Sequence, residues 1–300
     1  MTELNFNTPD IQTDVSLATS ACLVSWNVSA WSGRKKDTKA AGSLSMATGA
    51  TTKSVSVHKK LISLPEFEAI SKHVGWVRNN FHYTKTLPWS DTGLRLLATE
   101  ELFDYKPQME EHAQEFDRLV REFFSVYLDA INRGRNELGT LFDETQYPTL
   151  DELASKFSWR TTFIPVPTSN DFRIDVSQVQ KDSLASEYED FYQAEMKRAM
   201  DTVWVDLHTS LVELSQKLDF EAAGKKNKLF ASRLDTIRQL TRLLGSCNFT
   251  NDPKMSAMQR KLASAFDGLT VEQLRHSDSL RVETKAELDD AIRQLPSLDF

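Results

Sequence analysis

Proline is absent between Pro167 and Pro253, and the only glycines inside that stretch are Gly224 and Gly245. Proline interrupts helices, and glycine is common just after their ends, so a long region with so few of either residue is constrained to helices. The two glycines then mark positions at which helices end. This part of the chain therefore predicts long helices rather than a sheet.

Apolar side chains recur at three- and four-residue spacing through the same stretch. The pattern predicts one helix from Ser177 to about Ala223, roughly 65 Å long at ~1.5 Å per residue, and a second from about Lys226 to Leu244. The short break between the two helices favours an antiparallel helical hairpin. The apolar positions are Tyr188, Tyr192, Met196, Ala199, Val203, Leu207, Leu211, Leu214 and Leu218 in the first helix, and Leu229, Phe230, Leu234, Ile237, Leu240 and Leu244 in the second.

The rest of the chain predicts shorter helices and extended segments. Pro107 is expected in the first turn of a helix that runs to about Phe142, because proline is tolerated there. Thr149 and Glu152 have the spacing of a capping box and predict a short helix. The other expected elements are helices over 65–80, 253–266, 270–275 and 279–295, a structured loop over 86–93 anchored by Trp89, and extended segments over 159–166 and 172–176.

Two segments near the N-terminus alternate between apolar and polar residues, as half-buried strands do. Residues 22–30 form the first segment and residues 54–61 the second, in which Val55, Val57 and Lys59 fall on the same side. We predict that the two segments pair as an antiparallel hairpin with a long tip. The small and polar residues of that tip favour a flexible loop or a short helix.

These elements together predict a predominantly α, α+β fold, in which long antiparallel helices accompany a small N-terminal antiparallel β-unit. Residues 1–20 are expected to be a flexible N-terminus. Residues 21–176 are expected to hold the β-hairpin with helices and short strands, and residues 177–300 the long helical hairpin with the C-terminal helices.

Charge is divided unevenly along the chain. The segment from Cys22 to Ile62 carries seven basic side chains and a single acid, Asp37, a net charge of +6. Because the whole chain has a net charge of −7, the remaining residues sum to −13. A small positive element attached to an acidic body predicts a confined contact surface for an anionic partner. Its members are Arg34, Lys35, Lys36, Lys39, Lys53, Lys59 and Lys60.

Two interpretations of this basic segment remain open. Adjacent guanidinium and ammonium groups bind phosphates, and the indole of Trp31 beside them is of a type that stacks on unpaired bases. Alternatively, the lysines protect an exposed sheet edge, keep a loop soluble or dock onto an acidic protein.

Patterns typical of catalysis are missing from the sequence. The six histidines lack metal-ligand spacing, no glycine-rich phosphate loop occurs, and Cys22 and Cys247 lie far apart. The acid pairs are expected on solvated helix faces. We therefore expect a chain that is not an enzyme, with no metal and no cofactor.

Four segments in this order resemble a family of uncharacterised helical proteins from phages and bacteria: Trp31–Lys36, Lys59–Leu61, the aromatic helix Phe116–Tyr127, and Phe157–Val166. The resemblance covers roughly residues 20–245. Members of that family sit in gene neighbourhoods with MoxR- or cobaltochelatase-type AAA+ ATPases and von Willebrand A-type proteins. The resemblance implies an accessory or adaptor role and defines no catalytic residues.

We therefore expect a non-enzymatic accessory or adaptor protein that acts by protein binding, with an AAA+ ATPase or as a homo-oligomer. The alternative is binding of single- or double-stranded nucleic acid. No apolar run is long enough to span a bilayer, so we expect a cytoplasmic protein without a membrane partner, in the host cytoplasm if a phage encodes it. In either case the expected contact residues are Trp31, Arg34, Lys35, Lys36, Lys39, Lys53, Lys59 and Lys60.

Overall fold

The computed structural model describes residues 20–89, 93–166, 178–219, 228–248 and 252–295. It confirms a predominantly helical α+β fold with a small antiparallel sheet near the N-terminus. Residues 1–19, the predicted extended segment over 172–176 and the predicted domain boundary after residue 176 lie outside the described residues.

Four strands form the main sheet, in the spatial order β4-β5-β1-β6. Ala21 in β1 lies opposite Ala98 in β5, and Leu87 in β4 lies opposite Leu96 in β5, both in antiparallel register. Two further strands, β2 and β3, form a separate two-stranded sheet. The strands are β1 (Ala21–Ser29), β2 (Arg34–Lys36), β3 (His58–Lys60), β4 (Leu87–Trp89), β5 (Leu94–Ala98) and β6 (Ser158–Pro165).

The predicted pairing of residues 22–30 with residues 54–61 is wrong. Residues 22–30 correspond to β1, which lies between β5 and β6, whereas His58–Lys60 pairs with Arg34–Lys36. The first half of β1 is buried on both faces. It therefore occupies an interior position in a sheet, which a two-stranded hairpin cannot supply.

The helices account for most of the chain. Residues 42–52, predicted as a flexible loop or a short helix, are helical as far as Thr48, in a helix that begins earlier, at Thr38. Residues 78–82 form a π-helical turn that leads into the short helix Tyr83–Lys85. The longer helices, numbered in chain order, are α1 (Thr38–Thr48), α2 (Pro65–Val77), α3 (Thr99–Ser125), α4 (Tyr127–Leu138), α5 (Leu150–Ala154), α6 (Gln178–Leu218), α7 (Ala231–Ser246), α8 (Pro253–Phe266), α9 (Val271–His276) and α10 (Asp278–Gln294).

The long helical hairpin is confirmed. α6 has 41 residues and therefore extends about 60 Å at ~1.5 Å per residue. α7 packs against it, and Arg233 near the start of α7 forms an ion pair with Glu213 near the end of α6. An ion pair between these two ends is the contact expected when a helix turns back along the preceding one. Gly224, predicted to mark the break, lies outside the described residues.

The aromatic helix differs from its prediction at both ends. It begins at Thr99, so Pro107 lies inside α3 and not in its first turn. Proline inside a helix lacks the backbone N–H that continues the hydrogen-bond ladder, and the residues two positions to either side, Tyr105 and Met109, are buried. At the other end the helix breaks at Val126 before α4 begins. The capping box at Thr149 is confirmed at the start of α5.

The chain divides into two compact units. The larger unit consists of residues 1–25, 82–105 and 163–300, and the smaller unit of residues 26–81 and 106–162. The larger unit has a core of leucines from α6 and α7 with β-strand residues such as Trp89, whereas the smaller unit has an aromatic core that includes Phe116 and Phe123. Among the described helices, none has the combination of length and apolar character that crossing a membrane requires.

The two units differ in net charge. The smaller unit has 16 lysines and arginines against 14 aspartates and glutamates, a net charge of +2. The larger unit has 20 basic side chains against 29 acidic ones, a net charge of −9. The basic segment at residues 34–60 belongs entirely to the smaller unit.

Candidate functional site

The basic segment folds as a two-stranded antiparallel ribbon with α1 between its strands; we call residues 34–60 the cationic ribbon. The register pairs are Arg34 with Lys60, Lys35 with Lys59, and Lys36 with His58. Alternate residues of a strand point to opposite faces, so the first and third of these pairs share one face and the pair Lys35–Lys59 lies on the other. On the face that two pairs share, all four side chains are exposed.

Lys59 turns inward, contrary to the prediction that it contacts a partner. Its residue is 7% exposed, and its ammonium lies 3.4 Å from a carboxylate oxygen of Asp37 and donates to the backbone carbonyl of Leu141. The sequence carried a signal for this position, because Lys59 alternates in phase with Val55 and Val57. Lys59 therefore supports the ribbon from inside.

Asp37, the single acid of the segment, joins three parts of the cationic ribbon. Its carboxylate accepts a hydrogen bond from the backbone N–H of Ala40 at 2.9 Å and so caps α1, while its own backbone N–H donates to the carbonyl of Val57 at 2.9 Å. The Ala40 N–H and the nearby Lys59 ammonium hold the pKa of Asp37 below its ordinary value. The carboxylate therefore stays ionised and ties β2, α1 and β3 together.

The root of the ribbon is anchored in the aromatic core of the smaller unit. Trp31 is half-buried, with its ring centroid 5.7 Å from that of Phe67 and 6.1 Å from that of Tyr127. Gly33 has a φ of 59° and accepts a hydrogen bond from the backbone N–H of Leu61 at 2.8 Å. The indole predicted to stack on bases thus packs at the root and orients the strands.

The remaining cations face solvent. Six basic side chains of the ribbon are exposed. Within the described residues, no carboxylate lies within ion-pair distance of five of them, namely Arg34, Lys35, Lys36, Lys39 and Lys53. Lys60 differs, because its ammonium lies 2.9 Å from Glu68, which also pairs with Lys72 at 3.5 Å. The exposed set is Arg34, Lys35, Lys36, Lys39, Lys53 and Lys60.

This arrangement is suited to binding anions. Like charges opposite each other on a ribbon are destabilising, and here Arg34 faces Lys60 across the strands. Glu68 already pairs with Lys60, so the charges that an anion along the exposed face neutralises are those of Arg34 and Lys36. The chemistry required is that of closely spaced negative groups, as in a phosphate backbone or an acidic protein surface.

A lysine, a serine and an aspartate, residue types that recur in catalytic sites, lie close together in the larger unit. The ammonium of Lys285 lies 3.2 Å from the hydroxyl of Ser215 and 2.9 Å from Asp289, and the Ser215 hydroxyl donates to Asp289. Asp289, followed by Asp219, raises the pKa of Lys285, so this lysine stays protonated and does not act as a base toward Ser215. The cluster is an ionic tie between α6 and α10. Among the described residues, no group of histidine, cysteine and acidic side chains could hold a metal ion.

Three arginines of the larger unit have roles that the sequence analysis missed. The Arg281 side chain is fully buried and donates to the carbonyls of Leu218 at 2.7 Å and Lys217 at 2.6 Å, at the C-terminal end of α6. Arg238 donates in the same way to the carbonyl of Phe266 at the end of α8, and Arg275 donates to that of Leu229. Arg281 and Arg238 thus satisfy the last carbonyls of α6 and α8, as basic side chains near a helix C-terminus do, whereas the carbonyl that Arg275 contacts precedes α7.

Comparison of the chain with protein-family models, with curated proteins and with solved structures finds no match. The resemblance to the phage and bacterial family stays a prediction.

Proposed function

We propose that this protein binds the phosphate backbone of a nucleic acid through the cationic ribbon. The observation that carries the proposal is the exposed face on which Arg34 lies opposite Lys60 and Lys36 lies opposite His58, supported from inside by the Lys59–Asp37 ion pair. A two-stranded ribbon is narrow enough to enter the major groove of a duplex. The ribbon offers charges along both of its strands, in the way that a backbone with repeating phosphates requires.

The expected binding does not depend on base sequence. Residues 34–60 contain no phenylalanine, tyrosine or tryptophan, and Trp31 packs at the root, so the imidazole of His58 is the one aromatic ring that the ribbon exposes, and stacking on a ring is tolerant of base sequence. Phosphate contacts position a protein on nucleic acid but carry no sequence information. The net charge of −9 on the larger unit repels a polyanion and confines the contact to the ribbon.

Salt dependence measures how many phosphates are engaged. If three to five of the exposed cations contact a duplex, the logarithm of the association constant falls against the logarithm of salt concentration with a slope of about −3 to −4.5. The measurement is fluorescence anisotropy with labelled single- and double-stranded oligonucleotides, between about 50 and 200 mM salt.

The deciding variant reverses three adjacent charges, Arg34→Glu, Lys35→Glu and Lys36→Glu. The matched control reverses one arginine and two lysines on the larger unit, namely Lys217→Glu, Arg242→Glu and Lys254→Glu, all of which are exposed. The two variants have the same net charge. We expect the affinity of the ribbon variant for the oligonucleotide to fall at least about tenfold for each lost phosphate contact that contributed about 1.4 kcal/mol. The affinity of the control variant should stay close to that of the unaltered protein.

Equal affinity of the ribbon variant and the control for nucleic acid would contradict the proposal. An acidic protein surface would then be the anion to test. The adaptor role toward an AAA+ ATPase that the family resemblance implies is the alternative proposal, and its test is co-purification of such an ATPase with the tagged protein from the native host.

A further inference from the structure

Of the six tryptophans, all of which lie in the described part of the chain, Trp76 near the end of α2 is the one that is exposed. Its residue is 53% exposed, whereas the other five are buried or half-buried. α2 packs on the core through a different side, on which Ile70 and Val77 are buried. Single exposed apolar side chains are ordinary on protein surfaces. What distinguishes Trp76 is its fixed orientation and its connection to the cationic ribbon.

The orientation of Trp76 is fixed by its neighbours in the smaller unit. Its ring centroid lies 5.6 Å from that of His112 in α3, in an edge-to-face contact. His112 is held in turn, because its backbone carbonyl lies 2.9 Å from Nε2 of His73. Asn80 in the π-helical turn donates to the backbone carbonyl of Trp76 at 3.1 Å. The indole is therefore ordered before any ligand arrives, which lowers the entropy cost of binding.

A row of charges on α2 connects Trp76 with the cationic ribbon. Glu68, Lys72 and Trp76 follow one another at four-residue spacing and so lie on one face of the helix. The ammonium of Lys60 lies 2.9 Å from one carboxylate oxygen of Glu68, and that of Lys72 lies 3.5 Å from the other. At ~1.5 Å per residue, Trp76 is about 12 Å along the helix from Glu68. A ligand bound on the ribbon can therefore extend to the indole.

The connecting surface attracts anions, although it contains an acid. Two ammonium groups share the single carboxylate of Glu68, so the group of three carries a net charge of +1. The side chain of Lys72 is 75% exposed. A lysine ammonium has three N–H donors, so Lys60 and Lys72 can each bind a phosphate oxygen while paired with Glu68. The positive surface of the ribbon thus continues onto α2.

Acids of α3 set where along this surface the phosphates are expected. Glu115, whose charge is felt together with that of His73, is paired with Arg118. Glu111 lies next to His112 and opposes an anion at the Trp76 end. Stacking on an indole requires no charge on the ligand. The Trp76 end is therefore suited to a base, and the ribbon end to phosphates.

We propose that the ligand of this surface is single-stranded nucleic acid, with its phosphates along the cationic ribbon and Lys72 and an unpaired base stacked on Trp76. The inference rests on the proposed function and names its substrate class. Bases inside a duplex are paired and stacked on one another, so they do not reach a side chain on the protein surface unless they are flipped out. Trp76 thus adds a contact that a duplex cannot make. Because every base has a π-face, this contact tolerates any base sequence.

Fluorescence anisotropy with a single-stranded oligonucleotide and with the blunt duplex of the same length tests the proposal on the full chain. In Trp76→Ala we expect the affinity for the single strand to fall at least about fivefold, which corresponds to about 1 kcal/mol, the lower end of what stacking one base contributes. The affinity for the duplex should stay close to that of the unaltered protein. The matched control is Phe103→Ala, which removes an 83% exposed ring from the larger unit and should change neither affinity.

Two further measurements report on the ring itself. An oligonucleotide of abasic sites keeps every phosphate but has no bases, so the unaltered protein and Trp76→Ala should bind it equally. Acrylamide should quench the tryptophan emission of the free protein more than that of the single-strand complex, and this difference should disappear in Trp76→Phe. Trp76→Phe keeps a smaller ring and should retain part of the affinity lost in Trp76→Ala. Circular dichroism verifies that each variant is folded.

The results that would overturn the inference concern folded Trp76→Ala. They are an unchanged affinity for the single strand, an equal loss for single strand and duplex, and a loss no larger than that of Phe103→Ala. The proposed function is judged separately, by reversal of Arg34, Lys35 and Lys36 to glutamate. If that reversal abolishes binding while Trp76→Ala has no effect, the ribbon binds phosphates and only this inference fails. If the reversal leaves binding unchanged, the proposed function fails and this inference fails with it.

Discussion

Basic side chains have opposite roles in the two units. In the larger unit, Arg281 is fully buried and its guanidinium donates to backbone carbonyls at the end of α6. In the cationic ribbon of the smaller unit, Arg34 is exposed and no carboxylate among the described residues pairs with it. The guanidinium of Arg281 is therefore bonded within the fold, whereas that of Arg34 is accessible to a partner.

The same contrast recurs within a single register pair. Lys35 and Lys59 lie directly opposite each other, yet Lys35 is exposed and Lys59 is buried beside Asp37. The number of basic residues in a segment therefore does not measure its capacity to bind an anion. What decides is whether each ammonium already has a carboxylate or a carbonyl within reach.

Replacing the buried arginine should have the largest effect. Arg281→Met keeps most of the apolar stem but removes the hydrogen bonds to the last carbonyls of α6, which are then left without donors. We expect the free energy of unfolding of the larger unit to fall by about 3 kcal/mol. Urea denaturation followed by circular dichroism measures the change.

Equal losses in the free energy of unfolding on replacing Arg281 and Arg34 would contradict this difference in role. Arg34→Met is the matched substitution at an exposed position, and it should change the free energy of unfolding by no more than about 0.5 kcal/mol. It should nevertheless weaken oligonucleotide binding, whereas Arg281→Met should leave the affinity of the folded protein unchanged.

A smaller effect is expected from the paired lysines of the ribbon. Lys59→Met leaves the carboxylate of Asp37 without its cation, so we expect the smaller unit to lose stability, by less than the larger unit loses in Arg281→Met. Lys35→Met should be close to neutral for stability. Thermal unfolding of the two variants beside the unaltered protein provides the measurement, and equal melting temperatures would contradict the inward role of Lys59.

The smallest expected effect is a pH dependence of the smaller unit. Burial, followed by the charge of His73, lowers the pKa of His112, whose ring packs 4.9 Å from that of Phe81 and 5.6 Å from that of Trp76. Glu111 acts in the opposite direction. The unfolded chain therefore binds a proton more readily than the folded one. Stability should begin to fall as pH drops through the unfolded value of about 6.5, and the loss should be complete below the folded pKa.

Urea midpoints measured at successive pH values between neutral and mildly acidic test this pH dependence. In His112→Asn the dependence near the unfolded pKa of histidine should flatten, although the overall stability changes as well. A variant whose midpoints follow the pH dependence of the unaltered protein would show that another group is responsible.

Sequence periodicity predicted the parts of the fold that depend on neighbouring residues. The hairpin of α6 and α7 lies close to its predicted bounds, since a repeated apolar stripe marks a helix wherever that helix packs. The capping box at Thr149 is equally local. Strand pairing is not local, and alternation in residues 22–30 identified a strand but could not identify β5 and β6 as its neighbours.

The sequence predicted the charge of the candidate site but not the contacts of each side chain. The excess of basic residues identified the ribbon, and six of these residues are exposed as expected. The inward turn of Lys59 depends on Asp37 and on the carbonyl of Leu141, which lies far away in the sequence. The hydrogen bonds of Arg238 and Arg281 to carbonyls at helix ends depend likewise on tertiary packing.

Gly33 has a consequence for how strongly the cationic ribbon can bind. A Cβ at this residue would lie 2.7 Å from the ring of Phe67, and its φ of +59° is strained for other residues, so β2 leaves the core in one direction. The ribbon is thereby ordered before a ligand arrives, and binding avoids an entropy loss of about 1–2 kcal/mol for each backbone residue that would otherwise have to be fixed. Affinity for a polyanion is thus linked to a residue that has neither a charge nor a side chain.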